Sequence, residues 1–529
     1  MSKMSRTFLG AVAASCLVVA ACGSDDKATS TTGATTPSGA ESSTATTASS
    51  ASTSTAGSSS ASTSTAAPSS TAGGSTPSTA AAGAPQPNQT PASQIGLIDG
   101  VYKGTSGFTI DPKDCPADWD PHQGITDTQI KFMMSLPTSG PLAGFGAIGD
   151  GVKSYFDYIN SQGGIDGKQL VVDLKDDGYK PDQTKSNVDE AIGSKSYAAF
   201  TNVLGTPNVG AIWDTTEDEC MPNLFVATGG PQWGDVENHK FTIGGAGNYW
   251  TEAFLWVAWL QAQHPELKSI ATVTYNNDFG HVFLEALPEA VKGTPLKIVA
   301  AETHDATAPN LDNQITTLAA SKADVLLVET AAAFCTQALA AMERQSDWKP
   351  LIILTGACGS PSNIFKPLID QGLTGNGAYF ETYYKDVNDP AMQSDPAVVE
   401  YQKAVTAQGL DPKNTSYALG WLYGWETVEA VKRAATFQGG IDRGNIMLGA
   451  RALNENNPMF YPGITTYTDG LKDAYTGEGG QMVQYTVTDK GQLGTLVPAG
   501  PLQNLEGQLG TYATVEKASA GAEASTTTT

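Results

Sequence analysis

The sequence predicts an α/β fold built on parallel sheets, and two observations support this prediction. Apolar runs typical of strands, beginning at 129–136, alternate with segments whose apolar residues recur at helical spacing, as in Val152, Tyr155, Phe156 and Ile159. A glycine-rich stretch at 242–249 then interrupts the alternation. Alternating strands and helices imply parallel strands joined by right-handed crossovers.

The predicted strands continue past this break to about residue 355. They are 129–136, 170–174, 198–203, 223–227, 270–275, 296–301, 325–329 and 351–355. One open sheet could hold all of them, but two smaller sheets fit the break better. An aromatic helix containing Trp250, Phe254, Trp256 and Trp259 follows the break, which we interpret as a crossover between two lobes.

The first 21 residues have the pattern of an export signal. Lys3 and Arg6 precede an apolar segment, 8–21, that is too short to cross a bilayer. The segment ends in Val19-Ala20-Ala21-Cys22, which resembles the bacterial lipobox. This resemblance implies that residues 1–21 are removed and that Cys22 receives diacylglycerol, although an ordinary cleaved signal is the alternative. We therefore expect a protein anchored by lipid to the extracytoplasmic face of the bacterial cell membrane.

Two segments have a composition typical of disorder. Residues 22–95 are dominated by Ala, Ser and Thr, with too little apolar surface to offset the entropy of ordering the chain. Residues 518–529 are of the same kind. We predict that the first is a tether behind the lipid anchor and that the second is a disordered tail.

The charge of the chain argues against nucleic acid as a partner. The 529 residues include 30 Lys and Arg against 54 Asp and Glu, a net charge of −24 that repels phosphate. No cofactor is predicted.

Four cysteines remain after the predicted signal and Cys22, and an even number in an exported chain suggests disulfides. Cys335 and Cys358 follow neighbouring predicted strands at the same sheet edge, so we predict that they pair, which leaves Cys115 with Cys220. Zinc is the alternative, but no two of the four have C-x-x-C spacing.

An ordered series of short motifs resembles a known family. It includes Ser139-Gly140-Pro141-Leu142-Ala143, Gln162-Gly163-Gly164-Ile165 and Asn276-Asn277-Asp278-Phe279-Gly280 within about residues 125–440. The series resembles the leucine/isoleucine/valine-binding family of type I periplasmic binding proteins. The resemblance implies two Rossmann-like lobes joined by three crossings, with a ligand cleft between them. Lobe 1 would comprise 96–245 with 386–455, and lobe 2 would comprise 246–385 with 456–517.

The same resemblance implies a site on the loops beyond the strand ends, where open α/β sheets bind ligands. From lobe 1 the expected residues are Ser139, Leu204, Gly205, Thr206, Ala227, Thr228 and Gly229. From lobe 2 they are Asn277, Asp278, Phe279, Glu329 and Thr330, together with the turn at 356–359. Thr206 could instead shape a turn, Phe279 could be core, and Glu329 could be a structural pair.

The resemblance further implies a solute receptor of an ABC importer, a monomer that passes a small polar molecule to a membrane permease. The chain departs from amino-acid binders at Leu204-Gly205-Thr206, where they carry serines, and at Phe279, where they carry tyrosine. Because of these departures, the expected ligand is not restricted to a branched-chain amino acid and includes an amide or a related carboxylic acid.

Three other functions are alternatives: a nucleotide-binding protein, an enzyme and a sensory lipoprotein. Residues 144–149 spell G-x-G-x-x-G, but a dinucleotide site needs its first glycine directly after a strand, and 137–143 intervene. The five histidines stand in no hydrolase motif, so we expect no enzyme. A lipoprotein that reports ligand occupancy to a membrane receptor would share every feature above.

Overall fold

The computed structural model describes residues 90–245 and 247–506. The predicted signal peptide, Cys22, most of the predicted tether and the predicted tail lie outside these residues. A small antiparallel sheet that the sequence did not predict comes first, formed by β1 (Gly96–Ile98), β2 (Val101–Lys103) and β3 (Thr109–Ile110).

A five-stranded parallel sheet follows, in the order β5-β4-β6-β7-β8. Its strands and helices, in chain order, are β4 (Gln129–Leu136), α1 (Gly146–Ser161), β5 (Gln169–Asp176), α2 (Pro181–Ser194), β6 (Ala199–Thr201), α3 (Thr206–Gly210), α4 (Trp213–Asp218), β7 (Asn223–Val226) and β8 (Thr242–Gly244). Strand β4 is buried along most of its length, as the central strand of a sheet covered on both faces should be.

A second sheet begins after the glycine-rich break. The next elements are α5 (Tyr249–Gln263), β9 (Ser269–Tyr275), α6 (Asp278–Ala290), β10 (Lys297–His304), α7 (Asp312–Ala319), β11 (Val325–Glu329), α8 (Ala333–Arg344), β12 (Leu351–Leu354), α9 (Lys366–Asp370) and β13 (Tyr379–Thr382). Strands β9 to β13 run parallel in the order β10-β9-β11-β12-β13. The predicted division into two sheets is therefore confirmed.

The last part of the chain serves both sheets. It contains α10 (Pro396–Ala407), α11 (Thr415–Thr436), α12 (Arg443–Ala450), β14 (Asn454–Glu455), β15 (Thr466–Tyr467), β16 (Gly479–Thr486), β17 (Thr495–Pro498) and β18 (Gln503–Asn504). Helices α10 and α11 pack on α1 of the first sheet, whereas β16 and β17 extend the second sheet in antiparallel fashion. The chain thus passes between the two layers three times, after β8, after β13 and before β16.

Helices α1 and α11 approach each other at two glycines. A Cβ on Gly151 would lie 2.3 Å from the Tyr417 carbonyl oxygen, and one on Gly420 would lie 2.0 Å from that of Ile148. Only glycine permits this spacing, because any side chain would force the two backbones apart. The last part of the chain is thereby fixed to the first sheet.

The structure contains both predicted disulfides. Cys115 pairs with Cys220 at a Cα separation of 5.5 Å, and Cys335 pairs with Cys358 at 5.7 Å. The second bridge joins the start of α8 to the turn after β12, at the same edge of the second sheet. It therefore fixes one of the turns that border the space between the sheets.

Candidate ligand-binding cleft

A cavity lies between the two sheets, beyond the carboxyl ends of their parallel strands. Its cavity volume is about 110 Å³ for the centres of water-sized molecules, and it opens to solvent. Leu204 and Ala227, which follow β6 and β7, line one side, and Phe279 and Ala331 from the second layer line the other. This is the place where open α/β sheets bind their ligands.

Four of the residues predicted individually for the site line the cavity directly: Leu204, Gly205, Ala227 and Phe279. The predicted turn at 356–359 lines it as well, through Gly356, Ala357 and Gly359. Gly205 has a φ of 103°, and a Cβ there would lie 2.5 Å from the ring of Tyr179, another lining residue. A glycine at this position therefore lets the loop after β6 contact the aromatic wall.

Three others lie just behind the wall. The hydroxyls of Thr206 and Thr228 are 2.6 Å apart and both side chains are buried, so each hydroxyl has the other as partner. The Thr228 hydroxyl is also 3.4 Å from that of Tyr249, which lines the cavity. Gly229 packs against the backbone of Gly247, where a Cβ would lie 2.0 Å from the carbonyl oxygen.

The predicted polar residues at the start of α6 and after β4 make local contacts. The Asn277 side chain caps α6 by accepting a hydrogen bond from the Gly280 amide at 3.1 Å. Asp278 is exposed, and its Oδ2 lies 3.9 Å from the Cβ position of Gly210 on α3. Ser139 is exposed and donates its amide to Asp176 at 3.2 Å.

The remaining two predicted residues are buried in the second layer. Glu329 Oε2 accepts a hydrogen bond from Thr274 at 2.6 Å, and Oε1 has no partner among the described residues. Burial raises the pKa of Glu329 to about 8. Thr330 pairs its hydroxyl with His304 Nε2 at 2.6 Å. Neither residue belongs to the cavity wall.

The sequence did not indicate two acidic residues that line the cavity, Glu252 in the first turn of α5 and Glu381 in β13. Glu252 accepts hydrogen bonds from the Gly356 amide and, at 3.4 Å, from the Thr355 hydroxyl. Glu381 Oε1 has no partner in the part of the chain that the structure describes. Burial raises the pKa of both carboxyls, and the nearness of Glu252 raises that of Glu381 further.

Aromatic side chains form much of the remaining wall. They are Phe145, Tyr179, Tyr249, Phe279, Phe380, Tyr383, Tyr384 and Tyr423. The Tyr249 and Phe279 rings meet edge to face, with centroids 5.0 Å apart. No Lys, Arg or His stands among the described residues of this wall. The cavity can therefore offer a ligand carboxyl groups, phenolic hydroxyls and ring faces, but no cationic side chain.

The G-x-G-x-x-G segment contributes to the same cavity. Phe145 and Ile148 line it, whereas Gly149 faces the sheet, where a Cβ would lie 3.1 Å from the side chains of Leu136 and Leu174. The last glycine of this segment is accounted for by the packing of α1 on β4 and β5.

One group of acids outside the cavity lining has the spacing of metal ligands, and its Glu478 stands between the lining residues Gly477 and Gly479. Oxygen atoms of Asp473, Glu478 and Glu506 lie within 4.8 Å of one another. Burial raises the pKa of Asp473 to about 7 and that of Glu506 to about 9. An all-oxygen set of this kind suits a hard cation such as Ca²⁺, and shared protons are the alternative.

Comparison with known proteins agrees with this architecture. The chain is similar over 74% of its length to 96% of a fatty acid ABC transporter substrate-binding protein from Thermomonospora curvata, with 19% identity and a TM-score of 0.61. It is similar over 72% of its length to 97% of a branched chain amino acid ABC transporter from Thermus thermophilus with bound valine, with 15% identity and a TM-score of 0.61. A possible leucine/isoleucine/valine-binding protein from Rhodopirellula baltica SH 1 gives 19% identity and a TM-score of 0.58, over 72% of this chain and 98% of that one.

No curated protein matches the chain in sequence. Within residues 90–245 and 247–506, no helix combines the length and apolarity needed to cross a bilayer. The sequence profile of the family described as "Periplasmic binding protein" matches residues 129–487, about two thirds of the chain. The chain therefore belongs to the periplasmic binding protein family, a family of solute-binding proteins, and has its type I fold.

Proposed function

We propose that the protein is the lipid-anchored solute receptor of an ABC importer, which captures a small polar molecule in the cleft and presents it to a membrane permease. The observation that carries this proposal is a cavity lined from both layers of a chain that passes between them three times. Family membership implies an extracytoplasmic location. The similar structures from Thermomonospora curvata and Thermus thermophilus, described as ABC transporter proteins, support the transport role.

Ligand capture would depend on closure of two lobes, 96–245 with 386–455 and 246–385 with 456–517. A ligand that contacts both lobes stabilises the closed state, because only the closed state offers all of its contacts. Gly205 and Ala227 on one side and Phe279 on the other are suited to such contacts, since all three line the cavity. Among the ligand classes predicted from the sequence, the acidic wall is least suited to a carboxylic acid.

Small-angle scattering of the full chain, with and without a ligand found by thermal-shift screening of small metabolites, tests the capture. The radius of gyration should fall when the ligand binds. A ligand that binds in the cleft without compaction would contradict the closure of two lobes.

Cell fractionation tests the proposed anchor. Cys22→Ser should release the protein or leave it unprocessed, because the thiol that accepts the lipid is lost and two acyl chains go with it. Cys16→Ser, inside the predicted signal peptide, is the matched control and should keep the protein in the membrane fraction. Full membrane retention of a cleaved Cys22→Ser protein would contradict the anchor.

Uptake of the ligand by a deletion strain distinguishes transport from sensing. Loss of uptake would support transport.

A further inference from the structure

The two acids of the cleft face one another across a glycine. A Cβ on Gly356 would lie 3.5 Å from Glu252 Oε1 and 3.9 Å from Glu381 Oε2. The wall is thus open at the point where both carboxyl groups converge, and even a methyl group on Gly356 would enter that space. Two acids that share one small space can both contact a single ligand group placed there.

These two acids have no cationic side chain as a partner among the described residues. No described Lys, Arg or His forms an ion pair with Glu252 or Glu381, although both side chains are more than nine-tenths buried. Buried carboxyl groups ordinarily have a cation or several hydrogen-bond donors as partners. Glu252 has the Gly356 amide and the Thr355 hydroxyl as donors, whereas an oxygen of Glu381 has no described partner, so Glu381 is the acid that a ligand group in the cleft can serve.

The loops after β6 and β7, from which lobe 1 was expected to bind the ligand, offer an anion no cationic side chain. The hydroxyls of Thr206 and Thr228 bond to each other, and the wall beside them consists of the apolar Leu204 and Ala227 and of Gly205. A positive charge has more to gain here, because it stabilises the ionised form of both acids, and the faces of the tyrosine and phenylalanine rings attract cations as well.

We propose that the cleft selects a small organic cation, a primary ammonium group on an apolar body, with Glu252 and Glu381 holding the ammonium group and the aromatic wall enclosing the body. The proposal rests on ligand capture in the cleft, as proposed above, and specifies the chemical class of the ligand. An ammonium group has three N–H donors, enough for the two oxygens that converge at Gly356, Glu252 Oε1 and Glu381 Oε2.

Cation binding in such a site releases protons. Burial raises the pKa of both acids, and a cation at contact distance lowers the pKa of a carboxyl, so the ammonium group displaces protons that the free site holds. Affinity should therefore increase as the pH rises from about 6 to about 8. The nearby Glu329 also raises the pKa of Glu252, and burial raises the pKa of Glu329 itself to about 8. Glu329→Gln therefore serves as a control that shows how much of the pH dependence comes from Glu329. Burial raises the pKa of Tyr249, Tyr384 and Tyr461, and nearby acids raise it further, so these phenols remain neutral throughout.

The test uses two series of probes that differ only in charge. The first is 3-methylbutylamine, 3-methylbutan-1-ol and 3-methylbutanoate, and the second is 2-phenylethylamine, 2-phenylethanol and phenylacetate. Calorimetry on the full chain measures the affinity of each, in two buffers of different ionisation enthalpy so that proton release is counted. The amines should bind most tightly and release protons, and the carboxylates should bind least.

Glu252→Gln and Glu381→Gln should each weaken amine binding about tenfold to a hundredfold, the effect of losing one charge-assisted hydrogen bond, and change alcohol binding little. Glu285→Gln, an exposed change on α6, is the matched control and should have no effect. Gly356→Ala should weaken amine binding by filling the space between the acids. Gly193→Ala, whose Cβ meets nothing within 4 Å, should not.

Tighter binding of an alcohol or a carboxylate than of the matching amine would overturn the proposal. So would failure of both amines to bind, or amine affinity that is unchanged in folded Glu252→Gln and Glu381→Gln proteins. A carboxylate that binds with compaction in small-angle scattering would overturn only this ligand class and would leave the proposed capture function intact.

Discussion

Removal of the Cys335–Cys358 disulfide should affect both the stability of the second layer and the binding cleft. The bridge closes a loop with a sequence separation of 23 residues. A loop of this length, if left open, gives the unfolded chain extra entropy equivalent to about 3 kcal/mol of lost stability. Both side chains are fully buried, so truncation to alanine also leaves small cavities that add to the loss.

The effect on the cleft follows from the position of Cys358. It ends the turn that begins at Gly356, whose amide donates to Glu252. Without the bridge this turn is no longer tied to α8, and the hydrogen bond that orients Glu252 loses its support. Ligand affinity should therefore fall together with stability in the variant Cys335→Ala/Cys358→Ala.

Urea unfolding followed by circular dichroism measures the first effect, and calorimetry with the screened ligand measures the second. The matched control is Cys115→Ala/Cys220→Ala, which opens a loop with a separation of 105 residues. It should cost more stability, about 5 kcal/mol, but should leave the Gly356 turn tied to α8. Equal affinity in the two variants, or an unfolding free energy unchanged by loss of the Cys335–Cys358 bridge, would refute this reasoning.

Three further changes test the packing and the buried acids. Because the pKa of Glu329 is raised by burial to about 8, its stabilising protonated form is complete below about pH 4.5 and is lost as the pH rises through 8. Glu329→Gln should remove this loss, about 1 kcal/mol per pH unit, when urea unfolding is compared at pH 5 and pH 8. Gly420→Ala, which meets the Ile148 carbonyl at 2.0 Å, should lower the melting temperature through a loss of about 1–3 kcal/mol, whereas Gly193→Ala should not. Thr228→Val leaves the Thr206 hydroxyl without its partner, so the unfolding free energy should fall by about 1–3 kcal/mol.

Most parallel strands of both sheets could be predicted from the sequence because they are continuous apolar runs, whereas the short parallel strands β8 and β13 were not predicted. The run at 325–329 is strand β11 with identical bounds, and all five of its residues are buried. Such strands are buried on both faces, so composition alone reveals them. Strand β16 could not be found in this way, since it begins with two glycines and places Gln481 and Gln484 among its apolar residues. Its pairing with β13 depends on contacts between distant parts of the chain.

The candidate site, like the two sheets, was predicted only in part. Leu204, Gly205, Ala227 and Phe279 follow strand ends or begin a helix, so the rule for ligand sites in open sheets was sufficient to place them at the cavity. Glu252 and Glu381 were not predicted because no local pattern relates them. One belongs to the first turn of a helix and the other to a strand that the sequence did not indicate, 129 positions later in the numbering. Only the packing of α5 beside β13 brings them to one cavity.

The buried charges of this chain differ in how fully the surrounding residues pair with them. Arg443 is buried and donates to the carbonyl oxygens of Ala198, Asp120 and Cys220 at 3.0–3.3 Å. Lys385 is similarly enclosed by an aspartate and a carbonyl oxygen. These two cations join distant segments, and every contact they make stabilises the folded chain.

Glu381 does not fit that structural role. Its Oε1 is buried without a described partner, which costs about 1–3 kcal/mol relative to an apolar residue or a paired one. A carboxyl group that served only the fold would be expected to have a donor, as Glu252 has in the Gly356 amide. An unpaired acid on the wall of the cleft reduces the stability of the free protein. A ligand that donates a hydrogen bond to this acid recovers the lost stability. Glu329 Oε1 also lacks a described partner but lies outside the cavity wall, so it is the place of Glu381 on that wall that makes it the first residue to vary in the search for the solute.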